Sequence, residues 1–276
     1  MDRRTFLKTA VAAAIPTTPV AAASYGLYEA GAIKLERRRL SLPRLPRAFD
    51  GLRIAFLTDI HHGPYIRLDY VASIVRTTDA LRPDLILLGG DYSSKDAHYI
   101  APCLDVLAGL SAPLGVFAVR GSHDYLHGLA PTVEGLRKAR VAELTNASTW
   151  ISRRGERLCL AGVDDLWYGK PDLTKALKGV GGDDACLLVS HNPDFAETLN
   201  DPRVGLVLSG HTHGGQIYLP GIGAPIVPSR YGQKYLKGLV EAPHTQVYIS
   251  RGLGTLAQPL RYNSPPELTL ITLQAA

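Results

Sequence analysis

The chain has 276 residues, 46% of them hydrophobic and 20% charged, and a formal net charge of +5. These values supply ample material for a core and exclude a disordered polyelectrolyte. No apolar run of 18 or more residues follows the N-terminus, which excludes a polytopic membrane protein.

The chain opens with Asp2-Arg3-Arg4-Thr5-Phe6-Leu7-Lys8, an alanine-rich stretch from Thr9 to Ile15, and Ala21-Ala22-Ala23 before Ser24. A basic head, an apolar middle and a small-residue site read as a signal peptide over residues 1–23, and the arginine pair points to the twin-arginine translocase. The expected location is the periplasm or the outer face of the cytoplasmic membrane. Removing residues 1–23 takes away Arg3, Arg4 and Lys8 against Asp2, which lowers the net charge from +5 to +3. Residues 24–51 read as an N-terminal extension and edge strand. Its basic run Glu36-Arg37-Arg38-Arg39, with Arg44 and Arg47, reads as a solvated edge, peripheral contact with anionic lipid being the alternative. No basic helix or aromatic interleaving points to nucleic acid.

From residue 52 to 276 the pattern predicts one domain. Strands are expected at Arg53–Leu57, Leu85–Leu88, Gly115–Val119, Leu158–Val163, Leu187–Val189, Val204–Leu208, Val247–Ile249 and Leu268–Leu273. Helical periods fall between them at Leu68–Leu81, Ile100–Leu110, Pro131–Ala139, Leu173–Leu177 and Asp194–Leu199, several opening on proline. This alternation is that of an α/β fold. Residues 220–237, rich in Gly, Pro and Tyr, read as a long ordered loop. The three cysteines, Cys103, Cys159 and Cys186, read as core residues rather than a disulfide framework.

Five of the nine histidines sit in short motifs that follow predicted strands: Asp59-Ile60-His61, Gly121-Ser122-His123-Asp124, Ser190-His191-Asn192 and Gly210-His211-Thr212-His213, with Gly90-Asp91 among them. Taken singly, Asp59 reads as a helix N-cap, Asp91 as an Asx-turn and His191 as a turn residue. Taken together, acids and imidazoles at successive strand ends converge on one point, and that donor set suits Zn, Mn or Fe. Asp91 is anionic with two oxygens and can bridge a pair of ions. His211 and His213 would project to opposite sides of a turn and serve different ions. His62, His98, His127 and His244 match no motif and read as surface or supporting residues, His62 the nearest to the cleft.

In order and spacing these motifs resemble the calcineurin-like metallophosphoesterases from Leu52 to Leu273, and Gly214-Gly215-Gln216-Ile217, Leu219-Pro220 and Ser250-Arg251-Gly252-Leu253-Gly254 look like its exported or membrane-associated bacterial branch. The resemblance implies two facing mixed β-sheets flanked by helices in four αββα layers. It implies two divalent ions, the first held by Asp59, His61 and His213 and the second by His191 and His211, with Asp91 between them. Hydrolysis would proceed by in-line attack of a metal-bridging hydroxide on phosphorus. His123, oriented by Asp124, would serve the leaving group, and Arg251 and Arg261 would either bind phosphate or form surface salt bridges. The chain departs from the family at Ser122, where the pattern has Asn; the shorter hydroxyl leaves the second ion more weakly held. The expected activity is that of a phosphoesterase, in particular a phosphodiesterase, acting on a small-molecule or lipid phosphate ester. Two alternatives use the same site: a pyrophosphatase of the UDP-diacylglucosamine type from lipid A assembly, and a metal-binding envelope protein without turnover.

Overall fold

The computed structural model describes residues 19–276, so the arginine pair and the first part of the leader lie outside the described residues. Helix α1 (Pro19–Gly31) runs through Ala21–Ala23 without a break. It docks on the body: the Arg261 amide donates to Gly26 O at 3.0 Å, and Tyr25 meets Tyr262 edge-on at 5.4 Å. Among the described residues no helix is long and apolar enough to cross a membrane.

Two six-stranded sheets form the body. The first runs β1 (Lys34–Leu42), β12 (Glu267–Ala275), β2 (Arg53–Leu57), β3 (Leu85–Leu88), β4 (Val116–Ala118), β5 (Ala142–Glu143). The second runs β10 (Gly238–Glu241), β11 (Gln246–Ile249), β9 (Val204–Ser209), β8 (Cys186–Val189), β7 (Glu156–Gly162), β6 (Ala147–Arg153). β2 to β5 are parallel neighbours, as are β7, β8, β9 and β11.

Strand alternation explains the layers. On β2, Ile54 and Phe56 face the second sheet and meet Leu187, Leu206 and Leu208, while Ala55 and Leu57 face the helices and meet Ile74 and Leu104. Both faces are covered, and so the strand reads as a continuous apolar run. Helices α2 (Leu68–Ala80), α3 (Ile100–Leu107) and α4 (Ser122–Lys138) cover the outside of the first sheet. The short helices α5 (Leu173–Ala176) and α6 (Phe195–Thr198) cover the second. The expected αββα sandwich is the observed fold. All three cysteines are buried and free.

Three details differ from the pattern. Helix α4 begins at Ser122 rather than Pro131, because Gly128 (φ 158°, ψ 88°) kinks one helical segment into another and Pro131 falls in the first turn of the second. β6 and β10 carry polar residues on half-exposed faces and give weak strand signals. β1, in the N-terminal segment, lies at the edge of the first sheet and pairs in parallel with β12 over nine residues. Its basic run is not wholly solvated: Glu36 is buried, and Arg251 meets it at 3.0 Å.

Candidate metal centre

The proposed ligands arise where parallel strands end: after β2 (Asp59, His61), β3 (Asp91), β8 (His191) and β9 (His211, His213). Strand ends at the switch between elements are where α/β sheets place their sites. The loops stay tied to one another by backbone bonds, Asp59 N–H to Gly90 O at 3.0 Å, His61 N–H to Asp91 O at 3.1 Å and Gly210 N–H to His191 O at 3.0 Å. Within this frame Asp59, His61, Asp91, His211 and His213 all have φ between 50° and 69°. Non-glycine residues rarely occupy that left-handed region, and such outliers cluster at functional sites.

The side chains converge in two overlapping sets. His61 Nε2 lies 3.1 Å from His213 Nε2, and Asp59 Oδ1 lies 3.5 Å from the latter. His191 Nε2 lies 3.2 Å from His211 Nδ1. Asp91 Oδ2 reaches both sets, 3.5 Å from His61 Nε2 and 3.3 Å from His191 Nε2. Its other oxygen accepts the His123 amide at 2.8 Å, so one oxygen, not two, faces both sets. In each set the donor atoms lie within 4.8 Å of one another. His191 is aimed by its other nitrogen, which meets Gly89 O at 2.8 Å. Glycine is required by crowding: a Cβ on Gly121 would stand 2.2 Å from Asp91 Oδ1, and one on Gly210 would stand 2.1 Å from Asp59 Oδ2.

The donor chemistry fits divalent ions. Burial pushes the His61 and His211 imidazoles down to about 3 and His213 well below its usual value, so all three are neutral ligands near pH 7. Burial raises Asp59 to about 6. The same burial opposes charge on Asp91, but His191, then His61 and His123, outweigh it and hold the carboxyl well below the carboxylate range. His191 is the complement: burial disfavours its charge, and Asp91 overrides this and raises it well above the usual imidazole value.

The remaining expectations separate. Ser122 is buried at the first position of α4 and lines the cavity beside Asp91. His123, half-buried, meets the His61 ring edge-on at 4.8 Å. Asp124 does not orient it. Its carboxylate instead accepts the amides of Gly121 (2.8 Å), Asp91 (2.9 Å) and Tyr92 (3.1 Å), locking the β3 loop to the start of α4. Burial, then Asp91, raises it to about 7. The residue beside His123 is His127, Nε2 to Nδ1 at 2.9 Å. Four residues apart on one helix, the two rings are neighbours; the signal was the spacing, hidden because the helix was expected to begin at Pro131.

Arg251 and Arg261 do not face the cavity. Arg261 is fully buried and donates to Gly254 O (2.6 Å), Ser264 O (2.7 Å) and Arg251 O (2.8 Å). Arg251 is held by Glu36 at 3.0 Å and Glu267 at 3.2 Å. Their donors are consumed by carbonyls and carboxylates, so both brace the segment behind His213 instead of binding phosphate. Pro228, in the 220–237 loop, lines the cavity, together with Trp167 and Tyr168 after β7, which carried no motif.

The sequence profile of the calcineurin-like phosphoesterases matches residues 52–215. The chain belongs to this family. It is therefore a hydrolase acting on phosphoric ester bonds with divalent metal ions as cofactors. The metallophosphoesterase YkuE of Bacillus subtilis is 32% identical over all of this chain and 98% of its own length. The phosphodiesterase YaeI of Escherichia coli is 34% identical over 99% of each chain. Among solved structures, the NAD nucleotidase NadN of Haemophilus influenzae shares the fold with a TM-score of 0.50 and 14% identity, over 74% of this chain and 45% of that one.

Two outcomes follow from the geometry. Because His191 must lose its proton to bind an ion, ion affinity should rise as pH rises through neutrality and binding should release protons; as pH falls toward about 6, protonation of Asp59 weakens it further. Calorimetry with Mn in buffers of different ionisation enthalpy measures this, and proton-neutral binding would exclude it. His127→Ala should lower kcat about tenfold with KM nearly unchanged, since it frees the His123 ring without removing it. His127→Gln should restore part of the loss, and an unchanged kcat in His127→Ala would assign the pair to helix packing.

Proposed function

We propose that the protein is a two-ion phosphodiesterase that works outside the cytoplasmic membrane. The observation that carries the two-ion reading is the position of Asp91 Oδ2, 3.5 Å from His61 Nε2 and 3.3 Å from His191 Nε2. One buried carboxylate oxygen between two imidazole sets is the arrangement a shared anionic ligand requires. Asp59, His61 and His213 would hold the first ion. His191 and His211 would hold the second, with Ser122 a weak or water-bridged contact where the family pattern has Asn. The ions are Mn, Zn or Fe, and when bound they lower the pKa of water and neutralise charge developing on phosphorus.

The chain's own groups complete the site. His123 stands at the rim beside His61 and Asp91, where it can give a proton to the departing alkoxide or donate to a non-bridging oxygen. His127 sets that ring's orientation. The diester assignment takes support from YaeI, named a phosphodiesterase and matched over 99% of both chains. The same relationship, with intact His123, does not favour the pyrophosphatase or the non-catalytic alternative.

Location is read from the sequence: Arg3-Arg4, the alanine-rich stretch and Ala21-Ala22-Ala23 support export by the twin-arginine translocase, with the exported branch as this chain's place in the family. Contact with the membrane surface, if the leader stays attached, would follow from the same segment.

Asp91→Asn keeps shape and the His123 amide contact but removes the shared charge. Hydrolysis of bis(p-nitrophenyl) phosphate with Mn should fall by at least a thousandfold while the far-ultraviolet circular dichroism stays native; wild-type turnover would remove Asp91 from the reaction. Separately, Arg3→Lys with Arg4→Lys should leave the precursor in the cytosol on fractionation, and normal export of that variant would refute the translocase assignment.

A further inference from the structure

Above the two ligand sets lies a cavity of about 90 Å³ whose inner wall is Asp91, Ser122, His123, His211 and His213. Its outer wall differs in kind: Leu126, Trp167, Tyr168, Pro228 and Leu256. Leu126, Trp167 and Tyr168 are 50%, 40% and 49% exposed. No Lys or Arg is among the described residues lining it, and the two arginines of the C-terminal segment are consumed elsewhere.

Trp167 is held open by construction. Asp165 Oδ1 accepts the amides of Trp167 at 2.9 Å and Tyr168 at 2.8 Å, and Asp164 accepts those of Asp165 at 2.9 Å and Lys170 at 3.0 Å. A Cβ on Gly169 would stand 2.5 Å from the Asp164 carboxyl, so the turn is tight. The ring meets His211 edge-on at 4.3 Å. The imidazole it meets is nine-tenths buried, lines the cavity, and has no hydrogen-bond partner for Nε2. A braced turn that fixes two large aromatic side chains at a cavity mouth instead of burying them marks a binding surface.

We propose that this collar is a subsite for an apolar ester group, seated against Trp167, and that it selects singly charged phosphodiesters with such a group over doubly charged monoesters. The inference rests on the phosphoesterase reading and names its substrate class. A monoester dianion brings a second charge with no Lys or Arg of the cavity lining to meet it, whereas a diester brings one charge to the ions and one organic group to the collar. The apolar group gains by leaving water, and a flat ring gains further by packing on indole.

The test uses three singly charged phosphonates on the full-length, Mn-loaded protein: methyl phenylphosphonate, methyl butylphosphonate and methyl methylphosphonate. Binding is read by calorimetry and by indole fluorescence in Trp150→Phe. The chain has two tryptophans, and Trp150 stacks under Arg157 on the second sheet, so the remaining signal reports Trp167. The phenyl compound should bind at least fivefold more tightly than the methyl one and shift the emission. Trp167→Ala should erase that preference while leaving affinity for methyl methylphosphonate within twofold, and Trp167→Phe should keep most of it. A matching gain for the butyl compound supports an aliphatic occupant; a gain for phenyl alone supports a ring. Turnover plays no part in the readout. Binding of the methyl compound without any preference, or equal weakening of all three in Trp167→Ala, overturns the subsite alone. Binding of none overturns the subsite and the two-ion phosphodiesterase reading together.

Discussion

A carboxylate buried among imidazoles, Asp91, sets the terms for everything around it. Burial opposes its charge, and only neighbours of opposite or transferable charge can hold it ionised. His191 supplies that compensation, its Nε2 standing 3.3 Å from Asp91 Oδ2. The surroundings of Asp91 are arranged accordingly. Gly121 has no side chain because there is no room for one beside Asp91 Oδ1. The His123 amide takes that same oxygen, leaving Oδ2 alone for the two ligand sets. Asp124, one residue further on, clamps the amides of Asp91 and Tyr92 and so fixes the loop on which the shared carboxylate sits.

The architecture makes such a loop affordable. Left-handed backbone at a non-glycine residue costs of order 1–3 kcal/mol, and five proposed ligands adopt it. Backbone bonds between neighbouring strand ends hold Asp59, His61 and Asp91, the His211 amide donates to the Asp59 carboxylate, and the strands beneath are covered on both faces. Behind His213, the Arg261 guanidinium gathers carbonyls of residues 251, 252, 254 and 264, while Arg251 ties that segment to β1 and β12 through Glu36 and Glu267. The edge strand at the N-terminus therefore supports the metal centre from a distance. Breaking a buried, doubly paired guanidinium of this kind leaves an uncompensated charge, which is why these arginines act on stability and not on substrate.

The site divides into two chemistries. Inside, acids and imidazoles offer anionic and lone-pair donors in a small, buried volume, the condition under which a divalent ion is held and its charge is felt. At the mouth the surface turns apolar, with an aromatic pair on a turn braced by Asp164 and Asp165. His123 stands between the two, close enough to Asp91 and His61 to reach a group at phosphorus and supported by a second histidine one helical turn along.

Much of this was legible in the linear chain, for a physical reason. Buried parallel strands read as apolar runs, and candidate ligands placed just after them read as acids and histidines beside glycine, so Asp59, His61, Asp91, His191, His211 and His213 stood out from residues and spacing, while their division between two ions and the αββα layers came from the family resemblance. What side chains at the same motif do with their donors could not. Asp124 and the two arginines carry the right charge for a site, but backbone groups brought near by folding claim them first. His127 became a partner of His123 only because α4 starts at Ser122 and kinks at Gly128 instead of starting at Pro131. Trp167 belongs to the cavity only because two adjacent carboxylates turn its loop over His211. Spacing along the chain determined which residues could be ligands; contacts between residues distant in sequence, made only in the folded molecule, decided which donors remained free to act.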